Sequence, residues 1–199
     1  MGALSEALKE WAIAVEALLR GDQILLLRKG GIREEKGRFA VKADRVLLFP
    51  TYEHQQRERV KPPYQQAVLP IESGYHQESI EVKGWAEITH VISLEQDAPV
   101  FALEPFHIWN EQFVRERWAW KPNSALNLLL LRSHRLPNPI SLPYRPEYGG
   151  CRSWITLAES VSLEGSKAVL TDAAYQSQVQ QTLAMLDTPN IATESNKPL

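Results

Sequence analysis

Two groups of reactive side chains stand where short apolar runs end. Arg28 and Lys29 follow the run 24–27, and Glu53, His54 and Gln55 follow the run 46–49 after a short Pro-Thr-Tyr step. Arg33 and Arg38 fall in the polar, glycine-containing segment between the runs. Guanidinium groups grip phosphate through paired hydrogen bonds. A carboxylate, an imidazole and a carboxamide can read a base edge, and the first two can also exchange protons near neutral pH. Arg28, Lys29, Arg33, Arg38, Glu53, His54 and Gln55 therefore form the candidate ligand-binding set, on the condition that the two strand ends meet. The alternative is local: Glu53 pairs with a basic neighbour and His54 caps a turn. No residue is assigned a catalytic role.

Four further patterns carry chemistry. Trp109, Arg115, Arg117, Trp118, Trp120 and Lys121 interleave rings and cations, a composition suited to stacking on unpaired bases or to meeting a protein partner. More often such residues are core anchors with snorkelling charges. Cys151 precedes Arg152, which would favour its thiolate, and His134 or His54 would complete a Cys–His pair; a buried small hydrophobe is the plainer reading. Glu81 and Lys83 make the E-x-K step of a restriction-nuclease-like core, with Asp44 as the other metal ligand. That set is the alternative, metal-dependent phosphodiesterase reading. The start ILLLRKGGIREEKG lacks the glutamate-rich helix of a Nudix hydrolase, and the five histidines show no HExxH or HxH spacing. No metal site and no cofactor is expected.

Charge sharpens the location. The 199-residue chain has a net charge of −2, against indiscriminate nucleic-acid binding over the whole surface. Residues 28–61 hold ten Lys/Arg and five Asp/Glu, a local net of +5 in an otherwise acidic protein. RNA or a nucleotide is the expected partner of such a face, with no membrane. With 44% apolar and 23% charged residues the composition is that of an ordinary globular protein. One cysteine excludes an intramolecular disulfide. Glu6 and Glu10 interrupt what would be a signal peptide core, and the Met1-Gly2 start gives at most marginal acyl anchoring. A cytoplasmic location is expected.

The elements that must position these groups follow from periodicity. Leu4, Leu8, Trp11, Val15 and Leu18 recur at three- and four-residue steps, which predicts an amphipathic helix over 5–20, ended by Gly21. Strands are expected at 23–28 and 46–50, with a loop or hairpin at 30–44 between them. An exposed loop with a helical turn covers 53–63. One long strand is expected over 80–94, its phase slipping at Gly84. A helix at 106–118, a strand at 126–132 and a proline-rich loop from Pro137 follow. A strand at 152–157 and a helix at 172–186 complete the domain. A single globular domain over 1–187 with a disordered tail over 188–199 is the expected organisation. Strands not regularly separated by crossover helices indicate an α+β fold: a mostly antiparallel small barrel or curled sheet with peripheral N-terminal, middle and C-terminal helices.

Several segments carry resemblances. Gly21-Asp22-Gln23 leading into LLLRK, ADRVLLF at 43–49, VKGWAEI at 82–88 and LLLLRSHRLPNPISL at 128–142 resemble, in that order, elements of the PUA-like superfamily, which includes ASCH and EVE domains. Ala43 stands where that superfamily has a turn glycine. The resemblance implies a small β-barrel that binds RNA or a modified nucleotide. It also implies a narrower role for Lys29, since some ASCH-like proteins hydrolyse amides with a lysine at a similar strand end. LLLRKGGI, LLFPTYEHQ, FHIWN and GGCRSW resemble a domain-of-unknown-function family familiar from cyanobacterial genomes, over nearly the full length.

Overall fold

The computed structural model describes residues 2–29, 33–35, 38–40, 43–69, 77–122, 124–150 and 152–186. The N-terminal segment departs from the expected helix. Residues Ala3–Trp11 form strand β1, and only Ala12–Arg20 form helix α1. The apolar period that suggested one helix is shared by two elements. Ala7 and Leu8 are buried on opposite faces of a central strand, and Lys9 and Glu10, which resemble the wet side of a helix, are buried as well. Gly21 does end α1: its left-handed φ of 82° lets its N–H and that of Asp22 return to the carbonyls of Leu18 and Ala17.

Next come β2 (Leu25–Arg28), a small hairpin of β3 (Arg33–Glu35) and β4 (Arg38–Ala40), and β5 (Arg45–Thr51). The loop after β5 contains a 3-10 turn (Arg57–Arg59) and the short helix α2 (Pro62–Gln65). Strand β6 (Ser79–Leu94) is one long strand whose register shifts between Val82 and Gly84, as the glycine predicted. A Cβ on Gly84 would come within 2.4 Å of the His134 carbonyl oxygen and 2.5 Å of a Leu19 methyl, so only glycine permits this approach.

Helices α3 (Asp97–Ala102) and α4 (Glu111–Ala119) lead to β7 (Leu126–Pro143). The expected loop from Pro137 is strand: Ile140, Ser141, Leu142 and Pro143 all pair with β6. Pro137 and Pro139 lie in residues 136–139, which bulge between the pairs Arg135↔Gly84 and Ile140↔Val82, where a missing N–H breaks no ladder bond. Strand β8 (Trp154–Ser162), the two-residue β9 (Lys167–Ala168) and helix α5 (Asp172–Leu186) follow. The expected tail 188–199 lies outside the described residues.

Among the described residues the main sheet has seven strands in the order β2-β7-β6-β5-β1-β8, with β9 on β7. Every pairing in it among the described residues is antiparallel except that of β1 with β5. Among the described residues its ends, β2 and β8, do not pair, so the sheet is curled and not a closed barrel. One face packs on α1, α4 and α5 through Leu8, Leu48, Leu18, Val114 and Val179. The other holds a second core of Leu47, Phe49, Trp85, Tyr148 and Ile155. Both faces of β1 and β5 are covered, and residues 46–49 accordingly read as an unbroken apolar run.

Candidate binding cleft

Parallel pairing of β1 and β5 brings Trp11 opposite Thr51, so both strands deliver their following residues to one edge of the sheet. There the chain forms an open cleft of about 520 Å³. Arg28 reaches it from β2, Glu53 and His54 from the end of β5, and Arg117 from α4. Lys9, Glu10 and Trp11 form part of its wall, and Gly150, Arg152 and Ser153 close the far side.

Its base is a buried ion pair. Arg28 donates to Glu10 at 2.6 Å, with both side chains at most 10% exposed, and to the Lys9 carbonyl at 3.0 Å. Glu10 also accepts the Trp11 N–H at 2.8 Å. Lys9 donates its amine to the carbonyls of Tyr148 at 2.5 Å and Gly150 at 2.9 Å, and its own N–H to Ser153 at 2.9 Å. Lys9 thereby fastens the segment that carries Arg152 against the central strand.

Arg117 reaches the cleft as a cation. Its guanidinium is half-buried, sits 4.8 Å over the Phe113 ring, and has no carboxylate or hydrogen-bond partner among the described residues. Burial holds its pKa below the usual arginine range; Arg28 pushes the same way and Glu10 opposes. Arg152 is exposed at the rim.

The end of β5 is bent to make the site. His54 has a positive φ of 64°, a costly conformation for a side-chain-bearing residue. It lies 3.6 Å from Glu53. After this turn Gln55 faces the other way: its carboxamide oxygen accepts the Ile13 N–H at 3.0 Å and so caps α1, whose own first residues supply no side-chain cap.

Of the seven residues marked on the sequence, Arg28, Glu53 and His54 therefore converge on one cleft. Gln55 caps a helix and lines a separate cleft of about 380 Å³. Lys29 is buried; its amine donates to the Trp118 carbonyl and lies 5.2 Å from the Trp118 ring. Burial lowers its pKa, but it does not line the Arg28 cleft. Arg33 and Arg38 belong to the β3–β4 hairpin, where Arg33 is opposite Ala40 and Glu35 opposite Arg38; their side chains lie outside the description, as do Gly30, Gly31, Lys36, Lys42 and Cys151.

Lys9, Glu10 and Arg152 were not among the seven, and Arg117 was grouped with the tryptophans. That aromatic group is divided: Trp109 is 2% exposed and stacks on Phe113 with centroids 4.4 Å apart, so it offers no surface to a partner, whereas Trp120 is 52% exposed. His134 stacks on Trp85 at 4.0 Å. Glu81 and Lys83 line the Gln55 cleft, where Lys83 pairs with Glu16 at 2.6 Å. Asp44 is exposed at the start of β5 and does not line that cleft, so the three residues of the nuclease reading are not assembled. Among the described residues no three His, Cys, Asp or Glu side chains cluster as metal ligands, and no helix is long and apolar enough to cross a membrane.

Residues 7–181 match the family described as Domain of unknown function (DUF1802). The chain belongs to this family. No curated protein sequence matches the chain. Its fold is similar to solved structures of an ASCH protein from Zymomonas mobilis. A serine-to-alanine variant is 13% identical and has a TM-score of 0.43, with 91% of this chain and 99% of that one covered. A tyrosine-to-phenylalanine variant is 14% identical with a TM-score of 0.43, covering 88% and 96%. The form without either substitution is 14% identical with a TM-score of 0.42, covering 88% and 93%.

Proposed function

We propose that the protein binds a phosphate-bearing ligand, a nucleotide or single-stranded nucleic acid, in the cleft between β1, β5 and α4. The observation that carries this reading is Arg117: a half-buried guanidinium beside Arg28, open to the cleft and without a carboxylate partner among the described residues. A desolvated cation is costly until an anion approaches it, and phosphate oxygens match the geometry of a guanidinium fork. Arg152 adds a second charge at the rim. Half-buried Trp11, held edge-on to Trp109 at 5.2 Å, supplies an aromatic wall on which a base can stack. The basic character seen in residues 28–61 thus contributes through Arg28, and the rest of the positive field comes from elements remote in sequence.

The test is equilibrium binding of a short single-stranded RNA across a salt series, for wild type, Arg117→Gln and Arg152→Gln. Each substitution is expected to weaken binding roughly tenfold, the loss of one charge-assisted contact, and to reduce the slope of log K against log salt by about 0.7. Binding with an unchanged slope in both variants, or no binding at low salt, would refute the proposal.

A further inference from the structure

Glu53 stands at a junction. It lines the cationic cleft and also a narrow recess of about 50 Å³, which share Lys9, Thr51 and Glu53. Phe49, Tyr144 and Tyr148 wall the recess. A recess of that size cannot hold a whole base, but it admits the edge of one lying in the larger cleft. The Glu53 carboxylate is half-buried, and the His54 imidazole is 3.6 Å away, beyond hydrogen-bond reach. Among the described residues it forms no hydrogen bond. Its negative charge is felt in the recess, where it helps burial to raise the Tyr144 pKa. A carboxylate that lines both an aromatic recess and a cleft holding Arg28, Arg117 and Arg152 is a directional acceptor for a ligand held there.

Resting on the phosphate-binding reading, we infer that Glu53 selects guanine as the base of the bound nucleotide. An ionised carboxylate only accepts hydrogen bonds, and it can accept two in parallel. Guanine presents two adjacent donors on its Watson–Crick edge, N1–H and the N2 amino group, and so satisfies both oxygens. Adenine and cytosine each place an amino donor next to a ring-nitrogen acceptor, which would face the second carboxylate oxygen lone pair to lone pair. Uracil has a single donor between two carbonyls. Mismatch at a site built to accept two hydrogen bonds is penalised by the acceptor left unpaired. The cationic side of the cleft excludes the other partner of matching shape, a guanidinium group, by charge repulsion from Arg117 and Arg152. Phosphate contacts at those arginines would hold any nucleotide; the base contact would decide which one.

The experiment is a titration of wild type, Glu53→Gln and Arg117→Gln with guanosine, inosine, adenosine, cytidine and uridine 5′-monophosphates. Wild type should bind the guanosine nucleotide about tenfold or more tighter than the adenosine nucleotide, the discrimination typical of a bidentate base contact. Inosine, which keeps N1–H but lacks the amino group, should fall between them. Glu53→Gln should abolish or reverse that preference, since a carboxamide presents one acceptor and one donor, the complement of adenine's amino group and ring nitrogen, so the guanosine nucleotide should weaken while the adenosine nucleotide holds or gains affinity. Thermal melting of the variant is expected to match wild type, because no hydrogen bond within the described structure is lost. Equal affinity for all five nucleotides, or a uniform change on Glu53→Gln, would overturn the inference while leaving the phosphate reading in place. Absence of any Arg117-dependent binding would remove the phosphate reading, and this inference with it.

Discussion

Breaking the Arg28–Glu10 pair tests the architecture of the cleft. Both charges are buried, and each holds the other together with backbone groups: Arg28 also donates to the Lys9 carbonyl, and Glu10 also accepts from the Trp11 N–H. Removing one partner of such a pair leaves an uncompensated charge and costs about 3–5 kcal/mol, whereas replacing both by apolar groups of similar volume is far milder. The neighbourhood makes the two single changes unequal. Glu10→Leu leaves Arg28 without its partner carboxylate and beside a second cation, Arg117, while Arg28→Met leaves Glu10 unpaired but within the field of Arg117. We expect Glu10→Leu to cost about 4–5 kcal/mol and Arg28→Met about 3 kcal/mol. For a chain of this size those losses lower Tm by roughly 10 °C. The double variant should be more stable than Glu10→Leu alone, giving a coupling of at least about 2 kcal/mol. The assay is urea unfolding of all four proteins, with the pairwise term taken from the cycle. Additive single effects, or Arg28→Met costing more than Glu10→Leu, would refute the reasoning.

Burial, supported by Lys61, pushes the pKa of His107 from 6.5 down to about 4. The folded protein keeps it neutral while the unfolded chain takes up a proton below pH 6.5, so stability should fall as pH drops from about 6.5 to about 4. The slope is about 1.4 kcal/mol per pH unit, roughly 3 kcal/mol in all. Urea midpoints measured across that window should flatten in His107→Phe, and equal slopes in the two proteins would contradict the assignment. At Gly84 an added methyl group meets the His134 carbonyl and a Leu19 methyl group. Gly84→Ala should therefore destabilise by about 1–3 kcal/mol in thermal melts, and an unchanged Tm would show that the two long strands separate there without cost.

What could be read from the residues divides along physical lines. Apolar runs marked β2 and β5, and the glycine slip in β6 was legible because a packed-through glycine interrupts a period-two pattern. Arg28, Glu53 and His54 were legible as residues that could share a cleft because they follow the ends of those runs. Strand β1 was not, since Lys9 and Glu10 are buried polar residues whose types suggest a wet helix face; only their ties to Arg28 and to the Tyr148 and Gly150 carbonyls make burial tolerable. The second half of β7 was hidden by its prolines, which the bulge at 136–139 accommodates. Arg117 and Arg152 reach the cleft through packing between elements distant in the chain, a register that no local pattern encodes. Lys29 shows the converse: its neighbour in sequence enters the cleft, while its own side chain turns to Trp118, because successive side chains of an extended chain point to opposite sides.

The central place of β1 also sets an order of assembly. Ala7 is flanked by Leu47 on one side and by Ile155 on the other, so β1 gains its second neighbour only after the more than 140 residues between Ala7 and Ile155 in sequence have been made. Strands β6 and β7, joined through α3 and α4, can pair well before that, and closing the longer loop carries an additional entropic cost. Until β8 arrives, the edge of β1 offers unpaired backbone groups beside an apolar stripe, the template on which nascent chains misassociate. The cleft matures last for the same reason: the segment bearing Arg152 is placed by Lys9 on β1 and leads directly into β8. The proposed cleft is thus formed only once the segment before β8 is in place, and without it one wall is missing.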